Sequence, residues 1–173
     1  MTRRIIEVVP YDNTWKEKYN EEAEKIEKIL GDKIINIYHI GSTAIPNMMA
    51  KPVIDIMVEV KNIEEIDNYD SGFNNIGYEA MGEHGIKNRR FYRKGKYNRT
   101  HHIHIFEKGN EEINKHLNFR DYMKAHPKLA KEYGELKSKL AREFKYDSEG
   151  YCNGKDSFIK EIDKKAYRWK NDM

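Results

Sequence analysis

Apolar residues recur along this chain in two rhythms, and the rhythm changes near residue 109. Before that point short apolar runs alternate with helical pieces, and after it nearly everything repeats at helical spacing. Trp15, Tyr19, Ala23, Ile26 and Leu30 fall on one face of a helix that Gly31 closes, and Thr14-Trp15-Lys16-Glu17 has the form of a capping box at its start. Ile34 to Ile40 and Val53 to Val60 read as strands, with a helix from Ile63 to about Asn74 after the second. Lys87 to Arg93 and His102 to Glu107 read as the arms of a hairpin turning around Lys94-Gly95-Lys96. In the second arm strict alternation puts His102 and His104 on one face and Ile103 and Ile105 on the other.

The remaining third predicts helices. Asn110 is placed to cap a helix running from Glu111 to about Ala125, which His126-Pro127 interrupts, because proline disfavours helix in the residue before it and starts the next one well. Leu129, Tyr133, Leu136, Leu140 and Phe144 form the apolar stripe of a second helix, and Phe158, Ile159, Ile162, Ala166 and Trp169 that of a third, starting at about Asp156. Helices packed on a sheet give an α+β or mixed α/β fold. No repeat, low-complexity tract or linker marks a boundary, so the expectation is a single domain over residues 1–173, sheet-containing to about residue 109 and helical from about residue 110.

Composition narrows this picture little. A chain of 173 residues is long enough to bury a core without staples, and its single cysteine, Cys152, excludes an intrachain disulfide. With no signal peptide and no apolar run near the ~20 residues of a membrane span, the expected compartment is the cytoplasm. Charged residues make up 35% of the chain but leave a net charge of only +3, so most of them belong to solvated surface. The exception is the segment from Lys87 to Lys108, where Lys87, Arg89, Arg90, Arg93, Lys94, Lys96, Arg99 and Lys108 face one acid, Glu107. Such a patch attracts anions, and its Phe91, Tyr92 and Tyr97 could stack bases, so a nucleic-acid binding module is a second functional reading.

The chemistry concentrates in His39-Ile40-Gly41-Ser42-Thr43-Ala44-Ile45-Pro46 and, a short loop later, Ala50-Lys51-Pro52-Val53-Ile54-Asp55-Ile56. Glycine lets the backbone approach an anion, and the Ser42 hydroxyl can donate to it. Asp55 lies in a run so apolar that its carboxylate needs a divalent metal or a cationic partner to compensate its burial. Lys51 and Arg120 are candidates to neutralise phosphate charge.

Taken in order, Tyr11-Asp12-x-x-Trp15, the His39 to Pro46 motif, Ala50-Lys-Pro-Val-Ile-Asp-Ile, His102-Ile-His104 and Phe119-Arg-Asp-Tyr-Met-Lys-Ala-His-Pro-Lys-Leu-Ala-Lys-Glu-Tyr resemble the GrpB family of the nucleotidyltransferase superfamily, over about residues 5 to 168. The resemblance implies a nucleotidyltransferase-like fold, a small mixed sheet flanked by helices. It also implies a Gly-Ser turn followed by two carboxylates one residue apart on a strand and a third on a later strand, holding two metal ions around a triphosphate. Ile40-Gly41-Ser42 and Asp55 match, but the neighbours of Asp55 at that spacing are Val53 and Met57, and the later strand offers His102 and His104.

Three readings follow from that departure. Asp55 could work with substrate phosphates and another acid, Glu59, Glu22 or Glu24, around magnesium or manganese. Asp55, His102 and His104 could instead hold a transition metal such as zinc. Or catalysis is lost and a nucleotide pocket or an accessory role remains. The expected roles are Asp55, Ser42 and His104 in catalysis, Gly41, Ser42, Lys51 and Arg120 in ligand binding, and Asp55, His102 and His104 at a divalent metal. The expected ligand is a nucleotide or related phosphorylated small molecule, and no membrane partner is expected.

Overall fold

The computed structural model describes residues 5–172, so residues 1–4 and 173 of the single-domain expectation lie outside it. The chain forms two compact units. Residues Asn13–Ile40 and Val53–Ile113 make a sheet unit, and Gly41–Pro52, the chain from Asn114 onward and the segment before Asn13 make a helical unit. The change of rhythm near residue 109 sits close to the last crossing. The Gly41–Pro52 loop, which lies within the sheet-rich half of the sequence, goes with the helices.

In the sheet unit, α1 (Trp15–Leu30) leads into β1 (Ile34–Ile40), β2 (Ile54–Val60), a 3-10 helix (Ile63–Tyr69), α2 (Asp70–Asn75), β3 (Tyr78–Ala80), β4 (Arg89–Lys94) and β5 (His101–Glu107). The five strands lie in the order β1-β2-β5-β4-β3. Pairing is antiparallel except between β2 and β5, so the sheet is mixed. The side chains alternate between the two faces, although Met57 and Phe106 are buried as well. Ile56, Val58, Ile103 and Ile105 are fully buried on one face, the face on which His39 stacks on Tyr19 of α1 at 4.8 Å between ring centres. Asp55, Met57, His102 and His104 share the other face. The capping box does not form: Thr14 already has helical φ −75° and ψ −12° and its side chain makes no capping bond, because a capping side chain needs an extended backbone. Where one continuous helix was expected after Ile63, the chain opens with a 3-10 segment that Asn62 caps. Three-residue β3 is too short to show a period.

The helical unit contains α3 (Glu111–Ala125), whose first turn carries the crossing, α4 (Pro127–Glu143) and α5 (Ser148–Asn171). Its core joins Ile45 and Met48 of the loop to Met123, Ala130, Tyr133 and Ile162. The last helix starts eight residues before the expected Asp156, because Asp147 caps it through Gly150 N–H at 3.0 Å. Glycines at 150 and 154, which weaken the sequence signal, are there for close packing. A Cβ on Gly154 would stand 2.5 Å from a Leu140 methyl of α4. No helix is long and apolar enough to cross a membrane among the described residues.

Candidate functional site

In the sheet unit the parallel pairing of β2 with β5 sets Asp55 beside His102 and Met57 beside His104. Both imidazoles turn to the same carboxylate oxygen: His104 Nε2 lies 3.1 Å and His102 Nδ1 3.5 Å from Asp55 Oδ1. Asp55 is not sealed off, its side chain being 28% exposed. Burial disfavours its charge, yet the hydrogen bonds from His102 and His104 outweigh that and hold the carboxyl well below its usual range.

Behind His104 stands Arg89, almost fully buried. Its guanidinium donates to the Glu83 carbonyl (3.1 Å) and the His84 carbonyl (2.7 Å), and its Nη1 lies 3.2 Å from His104 Nδ1. Arginine has no acceptor, so that contact is a hydrogen bond only if His104 Nδ1 is unprotonated. The proton of the neutral ring then sits on Nε2 and is donated to Asp55. Both nitrogens of His104 are thereby committed.

That arrangement decides how well the residues fit the divalent metals that a nucleotidyltransferase fold implies. A hard cation prefers several oxygen ligands, but the two positions at which a second carboxylate would stand hold Val53 and Met57, neither with an oxygen in its side chain. A transition metal needs an imidazole lone pair, and His104 gives its own to Arg89. Glu22, a proposed auxiliary acid, is buried and bonded to Lys94, Lys25 and Tyr78. Burial opposes its ionisation, but those donors bring its carboxyl down to about 2. Glu59 accepts from Asn36 at 3.0 Å. Among the described residues no group of three or more His, Cys, Asp or Glu could hold a metal ion. The donor set does not fit.

The basic stretch is also largely spoken for. Arg90 pairs with Asp67 through two bonds, Arg93 with Glu79 and Lys94 with Glu22. Phe91 and Tyr92 are buried, leaving Tyr97 as the exposed ring of that stretch.

The helical unit holds the opposite electrostatic situation. Gly41 turns the chain with φ +72°, a conformation that glycine adopts freely, and a 3-10 turn over Ser42–Ala44 follows. Onto this turn α4 directs Lys137, which is 2% exposed and donates to Ser42 Oγ at 2.8 Å. Its ammonium also lies 4.5 Å from the Tyr133 ring centre. No carboxylate forms an ion pair with Lys137 among the described residues. Instead, burial first and then the positive charges of Lys155 and Lys51 push its pKa down to about 7. Lys51 and Lys155 both sit over the ring of Tyr151, at 5.0 Å and 4.6 Å, and the buried Tyr151 hydroxyl has no hydrogen-bond partner among the described residues. Since Ser42 accepts from Lys137, its own proton is available to an acceptor. Lys137 thus reaches the serine turn as a buried ammonium, with the positive charges of Lys51 and Lys155 acting on it.

The structure therefore groups Asp55, His102 and His104 in one unit, and Gly41, Ser42 and Lys51 in the other. It adds Lys137, Lys155 and Tyr151, which the sequence reading did not single out, and it places Arg89, read only as part of a basic patch, behind His104. Arg120 is paired with Asp121 at 2.9 Å, and Asp121 also holds Lys170 at 3.2 Å. Lys137 left a trace in the sequence, as a charged residue at position i+4 from Tyr133 within the apolar stripe of α4.

Comparisons with known proteins agree with this architecture. The GrpB protein family matches residues 5–165. The UPF0157 protein YqkA of Bacillus subtilis is 46% identical over 168 residues, 97% of this chain and 49% of YqkA, so the chain spans about half the length of that relative. The crystal structure of the GrpB protein from Enterococcus faecalis covers 94% of this chain and 98% of its own, with 44% identity and a TM-score of 0.90. The Cid1 poly(U) polymerase with Mg 3′-dATP bound shares the fold at a TM-score of 0.54, with 14% identity, over 77% of this chain and 44% of Cid1. With the family match running over nearly its whole length, and on a mixed α+β fold of nucleotidyltransferase type, this chain belongs to the GrpB family.

Proposed function

We propose that this protein binds a nucleotide or related phosphorylated small molecule through the Ser42 turn, with Lys137 as the central phosphate contact and Lys51 and Lys155 as flanking charges. One observation carries this reading: a nearly fully buried lysine, with an ion-pair partner nowhere among the described residues, donates to a serine hydroxyl beside two further lysines. Buried charges are ordinarily paired. A phosphate group would supply the missing charge and accept from the ammonium and the Ser42 hydroxyl at once. The reading places the protein in the cytoplasm, where phosphorylated metabolites are abundant and Cys152 stays reduced.

The test is a thermal-shift and calorimetry series with tripolyphosphate and the four ribonucleoside triphosphates, each in EDTA and with magnesium, manganese or zinc, since a ligand of the folded state raises its melting temperature. Binding is expected in EDTA, with a loss in Lys137→Met and little change in Asp55→Asn. A shift that appears only with metal and vanishes in Asp55→Asn would overturn this reading and favour metal-dependent nucleotidyl transfer instead. The ionised, partly exposed Asp55 is the observation on that side.

A further inference from the structure

We propose that the phosphate contact of the helical unit continues into an apolar cavity, so that the ligand is a phosphate ester carrying a flat ring; this rests on the anion-binding reading of Ser42 and Lys137. The cavity has a volume of about 470 Å³, within the range of small-molecule sites. Pro46 and Met49 of the loop form one wall, Met123 comes from α3, and Pro127, Ala130 and Gly134 come from α4.

The same two elements build both features. Pro46 follows Ser42 by four residues, and Gly134 precedes Lys137 by three on one helix, where side chains at that spacing are surface neighbours about 5–6 Å apart. A molecule anchored at Ser42 and Lys137 would therefore reach the cavity within a few bonds. The chemistry of the walls favours a ring. Methionine sulfur is polarisable and packs well against aromatic systems, and the two prolines present flat, apolar surfaces. Gly134 faces Met49 across the slot: a Cβ there would already touch Met49 Cβ at 3.4 Å, so a longer side chain at this position would project into the Met49 wall. Ser138 fixes the opposite wall by donating to the Met49 sulfur at 3.3 Å.

One polar feature stands out on the lining. Asn47 holds a left-handed backbone at φ +63°, a conformation that asparagine adopts more readily than most non-glycine residues. Its amide offers both a donor and an acceptor, the pair that the edge of a heteroaromatic ring requires. Lys124, Lys131 and Glu135, all exposed, complete the lining and leave it one net positive charge.

Calorimetry on the full chain with 1-naphthyl phosphate, AMP, ribose 5-phosphate and inorganic phosphate tests this. Expected is an affinity for 1-naphthyl phosphate at least about tenfold above those for ribose 5-phosphate and inorganic phosphate, a difference of about 1.4 kcal/mol. Gly134→Leu should erase that advantage and leave inorganic phosphate binding unchanged. Pro46→Trp, on the loop wall, should do the same, so that a helix-specific folding defect cannot explain the loss. AMP binding as tightly as 1-naphthyl phosphate would support the site with a nucleobase as its ring, and AMP at the level of ribose 5-phosphate would support it with a non-nucleotide aromatic. Equal affinity for all four anions, or an advantage that survives both substitutions, would overturn the ring site while leaving the phosphate contact standing. Failure of every anion to bind would overturn the phosphate contact itself, and the cavity proposal with it.

Discussion

The sheet unit and the helical unit each hold an ionisable side chain withdrawn from solvent, and they treat it in opposite ways. Asp55 is answered within the protein by two imidazoles, one of which is held from behind by the Arg89 guanidinium. Lys137 meets a neutral serine, an aromatic face and the repulsion of two lysines. A charge that the fold has satisfied is evidence for structure. A charge left unsatisfied, and more deeply buried, costs stability in the free protein, which makes it the better pointer to a ligand. For this chain the family resemblance directs attention to Asp55, whereas the electrostatics direct it to Lys137.

The largest test of that contrast is affinity. Lys137→Met should weaken tripolyphosphate binding by about 10- to 100-fold, the value of a hydrogen bond to a charged group, about 1.5–3 kcal/mol; an unchanged Kd in calorimetry would erase the distinction between the units. Stability should move in opposite directions. Asp55→Ala removes the acceptor of two imidazoles and should lower unfolding free energy by about 2 kcal/mol. Unliganded Lys137→Met should be more stable than the parent by about 1 kcal/mol, both read by urea denaturation at pH 6.

The pH dependence sharpens this further. Because Lys137 titrates at about 7 in the folded chain against 10.5 ordinarily, the unfolded state binds more protons between those values, and wild-type stability from this residue rises across that window. The advantage of Lys137→Met should thus be greatest below pH 7 and fade towards pH 10.5, as followed by melting temperature. Asp55 has the reverse sign: its contribution is present above its ordinary 3.8 and is lost as pH falls through the lowered folded value. A parallel stability profile for wild type and Lys137→Met would sink the claim of an uncompensated ammonium. The smallest effect is expected from Lys51→Gln. Lys51 is only half-buried and acts through a screened charge, so tripolyphosphate affinity should fall about threefold, and less at high salt.

Much of the sheet unit was legible in the residues. Alternation in His102-Ile103-His104-Ile105 assigned the faces of β5 correctly, and the embedded Asp55 announced a need for compensation, which the two histidines supply. Less legible was α5 from Ser148 to Asp156. Two glycines suppress its helical signal there, and only the packed surfaces of Leu140 and Phe144 show why side chains are excluded at those positions. The basic run around Arg90, Arg93 and Lys94 looked like a surface for nucleic acid, because its acidic partners Asp67, Glu79 and Glu22 are distant in sequence.

Local order settled the element types, the break at His126-Pro127 and the glycine turn before Ser42, because periodicity, proline and positive φ act within a few residues. The family, too, was readable from motifs in sequence order. What tertiary structure alone decided is which charges are answered. Lys137 and Ser42 lie 95 residues apart, and Asp55 and His104 are separated by 49. Over such spans sequence patterns carry no register, while the balance of desolvation and pairing that makes one carboxylate structural and one lysine receptive depends on distances of a few ångströms.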